Sequence, residues 1–345
     1  MRIEAPSSGL GYTSLKKACT ALLATGVILA LTCCTKKSTA QTSTVDLKLD
    51  VKAPFHFVVY GDTRFHDPSD TQPANPTARV DLVQAIADAN PAFICITGDI
   101  VYNGNDSDDW RVWDKETSIW REKKIPAYPA IGNHDLHGDP AVALGNYFQR
   151  FPELKGSRYY SLRAANALFL MLDSSQPETT GPQGDWLNAR LDHVAADVDF
   201  VFLIFHHPPY TSSSDIGKEL RGGGHSARSQ EQALAKLLEE RQAHSRYRMV
   251  VFNGHVHNYE HHAHGGVDYF VSGGGAAHPY MIDRAPEDLF KNDLVNYHYL
   301  NLTVDHHQLT ITMNRLDLST GKAAWTQPDT VKITASAATG QAAGR

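Results

Sequence analysis

Cysteine is scarce in this chain of 345 residues: there are four, and Cys19, Cys33 and Cys34 crowd near the N-terminus. Only Cys95 lies further on, inside an apolar strand-like run, so no disulfide framework is available and the core must hold the fold. Strong charge of either sign is lacking too. A net charge of −6 excludes a surface that attracts nucleic acid or anionic lipid as a whole, and no nucleic-acid partner is expected. A small anionic partner must be drawn in locally, by bound cations or a few arginines. There is no long hydrophobic run either. The nearly uncharged stretch from Ala18 to Thr32 is too short for a comfortable membrane span. No internal repeat is found and no linker breaks the stretch from 52 to 333, so residues 52–334 read as one domain.

Lys16-Lys17 ahead of the short apolar run and Lys36-Lys37 behind it give the outline of a secretory signal. The run Leu31-Thr32-Cys33-Cys34 resembles a bacterial lipoprotein cleavage box. That implies residues 1–34 as an export leader, with Cys34 (or else Cys33) carrying a lipid anchor, and a periplasmic or membrane-anchored protein. An uncleaved anchor is the alternative. Residues 35–51, rich in Ser and Thr, read as a flexible tether. Residues 335–345, small and polar, read as a disordered tail.

Between these ends, strand-like and helix-like segments alternate, which places the chain in the α/β class. Apolar runs at 55–60, 93–97, 128–131, 200–205 and 249–252 predict strands. Helical spacing is found at 78–89, 110–123, 185–196 and 229–241. Trp110, Trp113 and Trp120 fit the packed side of such a helix. Each of the five strands stops at a polar motif: Gly61-Asp62-Thr63-Arg64, Gly98-Asp99-Ile100-Val101-Tyr102, Gly132-Asn133-His134-Asp135, His206-His207-Pro208-Pro209-Tyr210 and Gly254-His255-Val256-His257. In layered α/β folds the carboxyl ends of strands are where ligands bind. Turn chemistry explains one or two Gly-Asp pairs, and hardly all five.

Mixed oxygen and imidazole donors suit borderline first-row ions such as Zn, Mn, Fe or Co, rather than Ca. A carboxylate can bridge two such ions about 3.5–4 Å apart, a spacing fitted to clamping a phosphoryl group.

In these five motifs and their order the sequence resembles the calcineurin-like metallophosphoesterases, over roughly residues 53–315, and within them the purple acid phosphatase branch. The resemblance implies a layered sandwich of two mixed β-sheets flanked by helices. Most of that superfamily carries Asp-x-His in the first motif, and here the third position is Arg64. Purple acid phosphatases lack that histidine as well, and use a tyrosine three residues after the second aspartate, where Tyr102 stands. By this resemblance, Asp62, Asp99, Tyr102 and His257 hold one metal ion. Asp99 as the bridge, Asn133, His206 and His255 hold the other. A phenolate favours a trivalent iron, so the implied pair is Fe(III) with Zn, Mn or Fe(II), with di-Zn or di-Mn as alternatives.

The implied activity is hydrolysis of a small phosphorylated substrate, foremost a monoester, through a metal-held hydroxide. A phosphodiesterase on nucleotides or glycerophosphodiesters is the alternative, and a silent surface-binding lipoprotein a third reading. His134 is the expected proton donor to the leaving group, with Asp135 orienting it, and His225 a second catalytic histidine after its Gly222-Gly223-Gly224 run. Arg64 is expected to grip phosphate oxygens, against an outward ion pair. His207 faces either substrate or the surface. His261, His262 and His264 read as a solvated turn, and His306-His307 as a hairpin turn at the surface.

Overall fold

The computed structural model describes residues 45–213, 225–292 and 297–335. The leader, Cys34 and the Gly222-Gly223-Gly224 run lie outside the described residues. In chain order the first half comprises β1 (Asp46–Leu49), β2 (Phe55–Tyr60), α1 (Pro76–Ala89), β3 (Ile94–Ile96), α2 (Ser107–Glu116), α3 (Ser118–Glu122), β4 (Ala127–Pro129), α4 (Pro140–Arg150), β5 (Tyr160–Ala164) and β6 (Ala167–Met171). The second half comprises α5 (Gly181–Asp192), β7 (Phe200–Ile204), α6 (Ser229–Gln242), β8 (Arg248–Asn253), β9 (Tyr259–His264), β10 (Val267–Ser272), β11 (Tyr297–Asp305), β12 (Gln308–Asp317), β13 (Ala324–Thr326) and β14 (Thr330–Thr334).

The strands form two sheets of seven. One runs β1-β5-β6-β7-β8-β10-β9; the other runs β13-β12-β11-β2-β3-β4, with β14 paired to β12. Both are mixed. β2, β3 and β4 are mutually parallel, as are β6, β7 and β8, so each trio sends its loops out at one edge. The sheets meet through aromatic rings: Phe57 of the second sheet lies 5.0 Å from Phe169 and 5.3 Å from Phe202 of the first. Strands buried on both faces need continuous apolar sequence, and Phe200–Ile204 is buried throughout. A separate apolar cluster on the far face of the first sheet takes in Trp186 and Leu187 of α5 and Leu234 and Leu238 of α6.

The helices start where local chemistry dictates. Asn75 caps α1, its side-chain oxygen accepting from the amides of Thr77 and Ala78 ahead of an apolar face of Leu82, Val83 and Ile86. Pro76 takes the first helical position, where no amide hydrogen is missed.

Four expectations need correction. Residues 46–49, assigned above to a tether, are strand β1, in parallel register with β5 from Asp46↔Ser161 to Leu49↔Ala164. Alternation of Leu47 and Leu49 with polar neighbours is the signal that composition hid. The helix expected over 110–123 is two helices, because Thr117 bonds the Trp113 carbonyl through both its amide and its hydroxyl and leaves helical geometry. His261, His262 and His264 lie on strand β9 rather than a solvated turn, paired antiparallel with β10, and His261 and His262 are buried. Ala335 is buried and its amide donates to the His307 carbonyl, so a disordered tail cannot begin there.

Candidate metal centre

The five polar motifs leave five strands at the same edge of the paired sheets. Asp62 follows β2, Asp99 follows β3 and Asn133 follows β4, all from the second sheet. His206 follows β7, and His255 and His257 follow β8, from the first. Backbone bonds knit the loops together: the Asp62 amide donates to the Gly98 carbonyl, the Ala277 amide to the Asp62 carbonyl, and the Gly254 amide to the His206 carbonyl.

Close approach sets the glycines. A Cβ on Gly98, whose φ is 101°, would sit 2.7 Å from the Gly132 nitrogen and 2.8 Å from His206 Nδ1. One on Gly254 would sit 2.3 Å from Asp62 Oδ2. Four of the site residues themselves take left-handed backbone: Asp62 at φ 58°, Arg64 at 44°, Asp99 at 53° and His255 at 70°. Each such residue costs about 1–2 kcal/mol, strain held by the surrounding bonds.

Around Asp99 the geometry is tight. Its Oδ1 accepts the His134 amide at 2.9 Å and lies 3.3 Å from His206 Nε2. Its Oδ2 lies 3.5 Å from the Arg64 guanidinium and 4.0 Å from His134 Nε2. Arg64 therefore turns inward, which decides against the outward ion pair. Asn133 Oδ1 lies 3.0 Å from His206 Nε2 and 3.1 Å from His255 Nδ1, and those two nitrogens are 3.2 Å apart. Asp62 accepts the His255 amide and lies 3.8 Å from His257 Nε2.

The ring tautomers follow from their outer partners. His206 Nδ1 donates to the Thr97 carbonyl at 2.9 Å, and His257 Nδ1 to the His278 carbonyl at 3.0 Å. Both Nε2 lone pairs are thus turned toward the carboxylates, the arrangement in which backbone carbonyls orient metal-binding imidazoles. One proton on His255 cannot satisfy the three atoms that converge there. His257 Nε2 and Asp99 Oδ2 are buried with no hydrogen-bond partner. Buried lone pairs without donors are what a cation would complete, so this donor set fits metal ions. The ligand atoms of Asp62, Asp99 and His206 all lie within 4.8 Å of one another, and so do those of His206, His207 and His255.

Burial, and then the charge of Asp99, push the Asp62 carboxyl well up. Burial also opposes ionisation of Asp99, yet His206, His134 and Arg64 outweigh it and hold that carboxyl below the usual range. Burial lowers the imidazoles, His134 to about 4 and His257 well down, which keeps them neutral and able to bind a cation.

Of the remaining expected residues, His207 faces the site. Its ring lies 4.4 Å from that of His255, and its Nδ1 lies 2.7 Å from Ser174 Oγ. His225 lies over the same imidazoles, 4.4 Å from His255 and 5.7 Å from His257. Tyr102 stands at the rim, 38% exposed, its ring between His66 and His134. Asp135 does not orient His134. The His134 Nδ1 donates instead to the Tyr102 carbonyl at 2.7 Å. Both Asp135 oxygens are occupied by the amides of Gly132, Ile100 and Val101, so this carboxylate joins two loops.

Two site residues went unnoticed in the sequence. Ser174 supports His207 and follows β6, whose end at Asp173-Ser174 is polar like the five singled out. Tyr280 follows the Gly273-Gly274-Gly275 run beyond β10 and packs on His257 and His225. In a further buried grouping, Glu260, His262 and Asp288, Thr211 and His262 bond Glu260 and Arg284 bonds Asp288, while His262 Nδ1 has no hydrogen-bond partner.

The purple acid phosphatase PPD1 from yellow lupin (Lupinus luteus) seeds is similar in structure, with a TM-score of 0.63 at 17% identity, over 82% of this chain and 54% of that one. The chain thus spans about half the length of that protein. PhoD matches at 0.58 and 13% identity over 83% of this chain and 71% of its own. A dimetal phosphatase from Danio rerio matches at 0.54 and 13% identity over 82% of this chain and 100% of its own. At these identities the likeness is one of fold, a mixed α/β sandwich of two sheets. No curated protein sequence matches. The sequence profile of the calcineurin-like phosphoesterases matches residues 55–259, which run from the start of β2 to the first residue of β9 and take in every motif above, and the chain belongs to that family.

Proposed function

We propose that this protein is a two-metal phosphomonoesterase of the purple acid phosphatase kind. The observation that carries the reading is the position of Asp99: its Oδ1 lies 3.3 Å from His206 Nε2, its Oδ2 is buried without a hydrogen-bond partner, and it groups with both Asp62 and His206. A bridging carboxylate needs that placement. Asp62, Asp99, Tyr102 and His257 would hold one ion; Asp99, Asn133, His206 and His255 the other. When bound, such ions supply Lewis acidity for activating water and neutralising phosphoryl charge.

The chain's own residues do the rest. Arg64, beside Asp99, and His207, beside His255, offer donors to phosphoryl oxygens. His134, fixed through Nδ1, presents Nε2 to the site, and once protonated there at acid pH it can pass that proton to the departing oxygen. His225 covers the imidazoles and narrows the access of water. Tyr102 is the residue on which an Fe(III) assignment rests, and di-Zn or di-Mn are the alternatives without it. The basic-flanked run before Cys34 supports export with a lipid anchor.

The test is a paired assay on metal-reconstituted protein, with p-nitrophenyl phosphate and its bis ester. Faster monoester turnover, abolished by chelation and restored by metal, is expected. Faster diester turnover would replace this reading by a phosphodiesterase, and no turnover of either would remove it. A tyrosinate-to-iron band in the visible spectrum, lost in Tyr102→Phe, is the expected sign of the iron form.

A further inference from the structure

The loop beyond β10 brings an additional phenol to the metal centre. Tyr280 is pinned at both backbone groups: its amide donates to the His257 carbonyl, and its carbonyl accepts Asn258 Nδ2 at 2.8 Å. The same loop holds the centre from behind. The His278 carbonyl orients His257, and the Ala277 amide binds the Asp62 carbonyl. The Tyr280 ring lies 5.3 Å from the His257 ring and 5.4 Å from the His225 ring. Its hydroxyl is buried beside the His257 backbone amide, and its hydrogen meets no acceptor. A buried hydroxyl hydrogen without an acceptor, in a residue held by two backbone bonds, calls for a ligand.

What it would meet is set by the chemistry around it. The ring borders two of the site's imidazoles, which places the phenol beside the donor cluster. That cluster is rich in acceptors, and a phosphoryl group brings more. An O–H donor complements them. We propose that Tyr280 is a substrate-contacting residue that donates its phenolic hydrogen bond to a phosphoryl oxygen of the bound ester. The proposal rests on the phosphoesterase reading above and adds a residue that the motifs do not contain.

Tyr280→Phe removes the hydroxyl and keeps the ring that packs on His257 and His225, so folding and the metal donors are left in place. Inorganic phosphate binding to the metal-loaded protein is measured by calorimetry, beside metal content, thermal unfolding and turnover of p-nitrophenyl phosphate. Loss of one hydrogen bond of ordinary strength predicts about tenfold weaker phosphate binding at unchanged metal content and melting temperature, with kcat/KM falling at least as far. Unchanged phosphate affinity would overturn the proposal. So would loss of a metal ion in the variant, which would assign the phenol to the metals instead. Phosphate binding by a wild-type protein that hydrolyses neither ester would sink the hydrolase reading and leave the Tyr280 contact standing.

Discussion

The two sheets contribute different chemistry to one site. β2, β3 and β4 deliver oxygen: the carboxylates of Asp62 and Asp99 and the amide of Asn133. β7 and β8 deliver nitrogen: the imidazoles of His206, His255 and His257. The oxygen side is short-armed and shaped by left-handed backbone at Asp62 and Asp99. The nitrogen side is longer-armed, and His206 and His257 are aimed by carbonyls behind them. Charge thus comes from one sheet, orientation and proton-neutral donors from the other. A site built at the seam of two sheets is only as exact as their contact, and that contact is aromatic.

The largest expected effect lies on the oxygen side. Asp99→Asn should lower kcat/KM by about 10³-fold or more, as loss of a central electrostatic group does, and strip both metal ions. His257→Ala should release only one. Metal analysis of the two variants checks the difference, and loss of both ions from His257→Ala would break the division of labour.

Phe57→Ala attacks the seam itself. A buried ring touching Phe93, Phe169 and Phe202 is removed, and urea unfolding should show a loss of about 3–5 kcal/mol. Asp135→Ala acts on the oxygen side alone. It leaves the amides of Gly132, Ile100 and Val101 without their acceptor, for an expected loss of about 3 kcal/mol. Activity should fall with it, because the loops bearing Asp99 and Asn133 are released.

The smallest effect belongs to the nitrogen side and depends on pH. Burial, and then the charge of Glu231 on α6, push the Glu178 carboxyl from 4.5 up to about 8. The folded state therefore holds a proton that the unfolded state gives up, and stability falls as pH rises between those values. Glu178→Gln removes the penalty. Its melting temperature should exceed the wild type's by about 2 °C or more at pH 8, with the gap closing toward pH 5. A gap that widens on acidification would reverse the sign of this account.

Much of the site was legible because its donors stand at strand ends, where continuous apolar runs meet Gly, Asp, Asn or His. The five motifs locate Asp62, Asp99, Asn133, His206, His255 and His257 without any knowledge of the sheets. What the sequence hid was tertiary. Nothing local says that Asp135 spends its oxygens on three amides from neighbouring loops, or that the carbonyl of Tyr102 rather than that carboxylate holds His134. Strand β1 was hidden because Ser and Thr precede it and only four residues pair. The histidines of β9 looked exposed because their burial depends on pairing with β10 and on the loop carrying Asp288. Tyr280 has no motif at all. Its place follows from a loop folding back on His257.

The aromatic packing has an optical consequence. Of the five tryptophans, Trp110, Trp113 and Trp120 are buried on α2 and α3 against the oxygen-bearing sheet, with Trp120 edge-on to Tyr60 of β2. Trp186 alone is buried on the nitrogen side, and Trp325 is exposed on β13. The rings of Trp113 and Trp120 are 5.6 Å apart, close enough to exchange excitation. Ultraviolet emission is accordingly weighted toward one half of the molecule. Changes around Asp62 and Asp99 will register as shifts in colour and polarisation, while equal changes around the histidines pass with little signal.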